Sequence, residues 1–123
     1  MEIISTKKAP SAVGPYSQGI KTGDVLYTSG QLGLIPETGE LPEGITLQTK
    51  QALENVDAIL KEAGMTRENV VKTAVFLIDL DNFELVNKIY ADYFGDCKPA
   101  RSCVQVAKLP KGGLVEIEAI AVK

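Results

Sequence analysis

Arg101 and Glu116 are the side chains of this sequence best suited to chemistry on a small organic acid. A guanidinium grips a carboxylate through two parallel N–H groups. A glutamate carboxylate can orient a water and take its proton. Arg101 follows Pro99 and alternates with Cys103 onto one face of a strand. Glu116 lies one loop further on, where a neighbouring strand would bring it close to Arg101. Together they would form a hydrolytic site, with arginine as anchor and glutamate as water-activating group. Without a ligand, the same two residues read as a structural ion pair across two strands, and residue type alone favours that plainer reading.

Other positions could line such a site. Tyr16, within Gly14-Pro15-Tyr16-Ser17-Gln18-Gly19, could offer a hydroxyl to a ligand; otherwise it packs at an edge with its hydroxyl in water. Ser29 and Gly30 end a strand with a hydroxyl and a residue that permits close backbone approach, or simply make a turn. Asn87 lies on the polar side of a helix, free to bond a neighbour or face solvent. Cys103 reads as a small packing residue, because no histidine exists to activate it. The absence of histidine removes Ser-His and Cys-His dyads, a histidine general base and any His-bearing zinc site. The chemistry proposed for Arg101 and Glu116 calls for neither metal nor cofactor.

The elements that must position these residues are legible in outline. The 123 residues suit a single domain with one core. Helical spacing of Leu53, Val56, Ile59, Leu60 and Ala63 predicts a helix over 46–63, stopped by Gly64. A second helix is expected from Asp81, with Glu84 completing an Asp-led capping box and Gly95 closing it. Strands are expected at 2–5, 19–21, 25–29, 70–78, 102–106 and 114–122, with Thr22-Gly23-Asp24 turning a hairpin. That order predicts an α+β subunit: one sheet with two helices on one face. In the last strand Val115, Ile117, Ala119 and Ala121 suit the helix-covered face. Leu114, Ile120 and Val122 make the second face apolar as well, and Glu116 and Glu118 share it. Two helices cover only one face, so oligomerisation through the sheet is the economical way to bury the other. Carboxylates in such a seam must be paired, hydrogen-bonded or part of a site.

Bulk properties narrow the partners. A net charge of −3 and scattered lysines give no electrostatic footprint for nucleic acid or anionic lipid. The longest purely apolar run, 74–78, is far too short to span a bilayer, and no signal-peptide pattern follows the N-terminus. These features predict a cytosolic protein in which Cys97 and Cys103 are free thiols.

The whole chain resembles the RidA/YjgF family. The resemblance rests most specifically on Pro99-Ala100-Arg101-Ser102-Cys103-Val104, Leu109-Pro110-Lys111 and the run Val115–Ala121. Gly14–Gln18, Tyr27–Gln31, Asn55-Val56, Val71-Lys72-Thr73, Phe76 and Asp79-Leu80 match as well, while Gln105 stands where the family commonly has an acid. The resemblance implies a chorismate-mutase-like subunit in a homotrimer, with a central barrel of sheets and sites in the clefts between subunits. It implies hydrolysis of enamine and imine acids (2-aminoacrylate, 2-iminopropanoate, 2-iminobutanoate) to 2-oxo acids and ammonia, which protects pyridoxal-phosphate enzymes. The carboxylate-binding arginine falls on Arg101 and the water-positioning glutamate on Glu116. Tyr16, Ser29 and Gly30 line the site, and backbone at Cys103 faces the ligand. Two rival expectations stand beside this: a non-catalytic trimeric binder of 2-oxo or short carboxylic acids, and the endoribonuclease or translation-inhibitor role attached to some relatives. The acidic charge and the lack of histidine count against the last.

Overall fold

The computed structural model describes residues 1–123. Its strands are β1 (Glu2–Ile4), β2 (Gly19–Thr22), β3 (Val25–Thr28), β4 (Gln31–Leu32), β5 (Val70–Leu77), β6 (Ala100–Gln105) and β7 (Val115–Val122). The helices are α1 (Ile45–Glu62) and α2 (Phe83–Phe94). One mixed sheet runs in the order β1-β2-β3-β7-β5-β6, with β4 also on β7. β5 and β6 are parallel neighbours joined through α2, whereas β7 is antiparallel to β3, β4 and β5. The expected α+β architecture is present, with both helices on one face of the sheet.

Each helix end has a local cause. Behind α1, Gly64 takes φ 75°; its N–H bonds Lys61 and that of Met65 bonds Leu60, a Schellman closure. The expected Asp81–Glu84 capping box does not form. Leu80–Asn82 is a 3-10 turn whose cap is Asp79, its side chain accepting from the Asp81 N–H at 2.9 Å, and α2 begins only at Phe83. Gln105 accepts the Leu80 N–H at 2.9 Å, tying the end of β6 to this turn. The short β4 was not foreseen, because two residues carry no periodicity.

The strict alternation of β7 sorts the two faces. Val115, Ile117, Ala119 and Ala121 are all buried, packed with Ala52, Leu53, Val56, Ile59 and Leu60 of α1 and Val86, Ile89, Tyr90 and Phe94 of α2. The other face carries Tyr27, Phe76, Val104, Ile120 and Val122 beside Glu116 and Glu118, and no element of the chain covers it. β6 ends the sheet with one unpaired edge. An apolar face next to an open edge is thus left without a cover within the chain.

Candidate functional site

Arg101 lies on β6 in register with buried Thr73 of β5, so its side chain rises on the helix-covered side. There its guanidinium sits 4.8 Å from the Tyr90 ring centroid and 5.5 Å from that of Phe83. Its Nη1 donates to Asn87 Oδ1 at 2.8 Å. Thr73 in turn fixes Tyr90 through a 2.7 Å hydroxyl–hydroxyl bond. Two aromatic rings and one amide oxygen therefore aim this cation, yet no carboxylate pairs with it; the chain's one ion pair is Lys61–Asp57. A shallow depression of about 350 Å³ opens beside it, lined by Asn87, Tyr90, Cys97 and Pro99. Cys103 lies two residues along the same side of β6, half-buried against the core. Burial pushes its thiol up, with Arg101 pulling weakly the other way, so Cys103 is protonated at neutral pH.

Glu116 occupies the opposite side of the sheet. Between the pairs Tyr27–Ile120 and Gln31–Ile117, the β3–β4 side advances four residues and β7 only three, so 28–30 form a bulge. Thr28 Oγ1 stands in for a ladder carbonyl by accepting the Ala119 N–H at 3.0 Å. The Ser29 hydroxyl is anchored on the Ser17 carbonyl at 2.6 Å. Gly30 then lies against Glu116; a β-carbon there would sit 2.7 Å from its Cδ. The resulting cleft, about 440 Å³, contains Tyr16, Ser29, Gly30 and Glu116. Burial, and secondarily the charge of Glu118, push the Glu116 carboxyl up. A carboxylate with a raised value holds a proton more readily, as a general base must.

The structure thus divides the expected site residues into two sets. Arg101, Asn87 and Cys103 belong to one side; Tyr16, Ser29, Gly30 and Glu116 belong to the other. The expectation that Glu116 approaches Arg101 on a neighbouring strand is wrong within one chain, because β5 lies between β6 and β7. Their register partners on β5, Thr73 and Phe76, are three residues apart. With strands about 4.8 Å apart and a rise of about 3.3 Å per residue, the two backbones stand on the order of 14 Å apart. Their side chains also leave opposite faces. An intrachain Arg101–Glu116 ion pair is excluded on the same grounds. Sequence reasoning missed Phe83 and Tyr90 around Arg101, and Pro10, Val13, Leu34 and Lys111 around Glu116. The apolar face of α2 was the available signal for the first two.

Comparison with known proteins extends this geometry. The family model described as Endoribonuclease L-PSP matches residues 6–123. The Bos taurus 2-iminobutanoate/2-iminopropanoate deaminase is 54% identical, covering 99% of this chain and 90% of its own. The crystal structure of RidA from an Antarctic Psychrobacter superposes with a TM-score of 0.98 at 49% identity, each chain covered in full. Escherichia coli TdcF with bound serine gives 0.97 at 45% identity, over 100% of this chain and 99% of that one. A match across nearly the whole length, on a fold shared from β1 to β7, makes this chain a member of the RidA/YjgF (Endoribonuclease L-PSP) family.

Proposed function

We propose that the protein hydrolyses short enamine and imine acids to 2-oxo acids and ammonia, as a homotrimer whose sites lie between subunits. The observation that carries this reading is Arg101: a guanidinium held by Asn87 and two aromatic rings, with no acid to neutralise it. Such a group is a preorganised carboxylate receptor. Its natural complement, the Glu116 cleft, is on the far face of the sheet, so the two halves meet only if Arg101 of one subunit faces Glu116 of the next. The uncovered apolar face and the free edge of β6 support that assembly.

In this mechanism Arg101 takes the substrate carboxylate and presents the electrophilic imine carbon to the cleft. Glu116, with a backbone carbonyl near Cys103, orients a water and accepts its proton as the oxygen attacks. The C=N electron pair moves to nitrogen, which gains a proton and gives a carbinolamine. Collapse expels ammonia and leaves the 2-oxo acid. The imine also hydrolyses in water, so the required acceleration is modest. Removal of such electrophiles would protect the pyridoxal-phosphate enzymes that release them. The serine bound to TdcF favours a second reading, capture of small carboxylic acids without turnover.

A threonine dehydratase coupled to this protein distinguishes the two. Imine decay followed by absorbance should accelerate with wild type and not with Arg101→Ala. Sedimentation equilibrium should give three times the 13.2 kDa subunit mass for both. Binding of 2-oxobutanoate without accelerated decay would establish the capture reading, and a stable monomer would remove the shared site.

A further inference from the structure

Lys111 is the only non-glycine residue of the chain with positive φ, at 58° with ψ 19°. A side chain in this left-handed region is strained, whereas the adjacent Gly112, at φ 73°, accepts it freely. The loop around Lys111 is not slack. The Gly113 N–H bonds the Pro110 carbonyl at 3.0 Å and the Leu114 N–H bonds Gln48 Oε1 at 2.9 Å. Gly113 also abuts Leu32, where a β-carbon would come within 2.7 Å of Cδ2. Strain of this kind persists only where the surrounding structure holds it, as the anchors on either side of Lys111 do.

Lys111 lines the cleft that contains Glu116, and it is the only cation there. The two form no ion pair although they share the cavity. The ammonium is therefore uncommitted, on a long stem that can lie along the apolar wall of Val13 and Leu34 with its charge at the end. In the proposed hydrolysis the substrate's own carboxylate is already taken by Arg101, so Lys111, an exposed residue on the rim of the Glu116 cleft, supplies a second positive charge that a further anionic group could meet.

We propose that Lys111 is a specificity-determining residue that recognises a second anionic group, favouring imino acids with a side-chain carboxylate over neutral ones of similar length. The proposal rests on the imine-hydrolase reading, and its test separates the two. 2-Iminoglutarate and a neutral five-carbon imino acid are generated in place by amino-acid oxidases, and kcat/KM is compared for wild type, Lys111→Met, Lys111→Arg and Lys111→Gly. Lys111→Met should lower the diacid-to-neutral ratio about 10-fold, equivalent to about 1.4 kcal/mol. Most of that change should appear as KM for the diacid, and Lys111→Arg should restore it. The wild-type ratio should fall with added salt, and that dependence should flatten in Lys111→Met. Lys111→Gly should melt above wild type, since it relieves the backbone, yet lose the same discrimination. Equal losses on both substrates in Lys111→Met, or a Lys111→Gly variant that keeps the wild-type ratio, would overturn the assignment. If wild type hydrolyses neither imine and also fails to accelerate decay of the dehydratase-derived imine, the hydrolase reading fails. Calorimetric binding of 2-oxoglutarate against 2-oxopentanoate then decides Lys111 by the same ratio.

Discussion

Gly30→Ala tests the Glu116 site with a single carbon. The backbone of Gly30 does not lie at positive φ, so alanine meets no conformational barrier there. Its new methyl would stand 2.7 Å from Glu116 Cδ, 2.9 Å from Oε2 and 3.1 Å from Cγ. Ordinary carbon–carbon contact begins near about 3.5 Å, so the carboxylate must retreat by roughly 0.8 Å. The obstacle is the far end of a flexible side chain, so the fold yields at the cost of one rotamer adjustment, about 0.5–1.5 kcal/mol. A catalytic group displaced by about 1 Å can cost on the order of 100-fold in rate, or about 2.7 kcal/mol in the barrier. The expected phenotype is a protein that assembles and melts close to wild type while imine hydrolysis falls about 30- to 100-fold. Oligomer mass by light scattering, melting by circular dichroism and imine decay by absorbance measure the three quantities on one preparation. A Gly30→Ala variant with wild-type turnover would refute Glu116 as the water-positioning group, because no other side-chain atom approaches the added carbon so closely.

Four further outcomes are expected. Arg101→Lys should lose at least about 30-fold in kcat/KM, close to Arg101→Ala, because an ammonium lacks the two-point grip on a carboxylate; wild-type turnover would return Arg101 to a structural role. Tyr90→Leu should raise KM several-fold more than Tyr90→Phe, since the ring beneath Arg101 is lost only in the first; equal values would dismiss the aromatic platform. Cys103→Ser should retain most activity and wild-type Cys103 should alkylate slowly at neutral pH, because burial keeps its thiol protonated; a loss as complete as that of Arg101→Ala would make it a participant. Burial, reinforced by Glu118, raises the Glu116 carboxyl in the fold, so the native state binds that proton more tightly than the unfolded chain does. Native stability contributed by this group therefore declines as pH rises through the window above the ordinary glutamate value. Glu116→Gln should melt higher than wild type at pH 7, with the gap closing towards about pH 4. No gap at neutral pH would contradict the burial argument.

Legibility in the sequence followed the strength of the local signal. The alternation from Val115 to Val122 foretold both faces of β7, because a strand's period of two leaves no other assignment for four inward apolar residues. Gly64 marked the end of α1 because the helix needed a left-handed residue there. The separation of Arg101 from Glu116 was not legible. A short loop between two strands has the same composition whether they pair or admit a third strand between them. Only the long-range pairing of β5 with β7 decides that question, and no window of neighbouring residues contains it. The Ser29–Gly30 bulge was hidden for a related reason: it is a mismatch of count between 27–31 and 117–120, visible only when both segments are aligned. Lys111 stood out only as part of the Leu109-Pro110-Lys111 signature and not as a lining residue, since backbone conformation at a non-glycine residue leaves no trace in composition.

The position of β7 has a consequence for how the chain is made. This strand is the hub of the sheet, holding β3 and β4 on one side and β5 on the other, yet it is translated after all of them. Until it emerges from the ribosome, β3 and β5 each present a bare edge, and the apolar sides of α1 and α2 have no central strand beneath them. Native pairing thus waits until β7 has been made, and the growing chain passes through a stage with adhesive strands and an incomplete interior. Nascent chains stalled before residue 115 should accordingly be bound by general chaperones and sensitive to protease, and release of the last strand should convert them in one cooperative step.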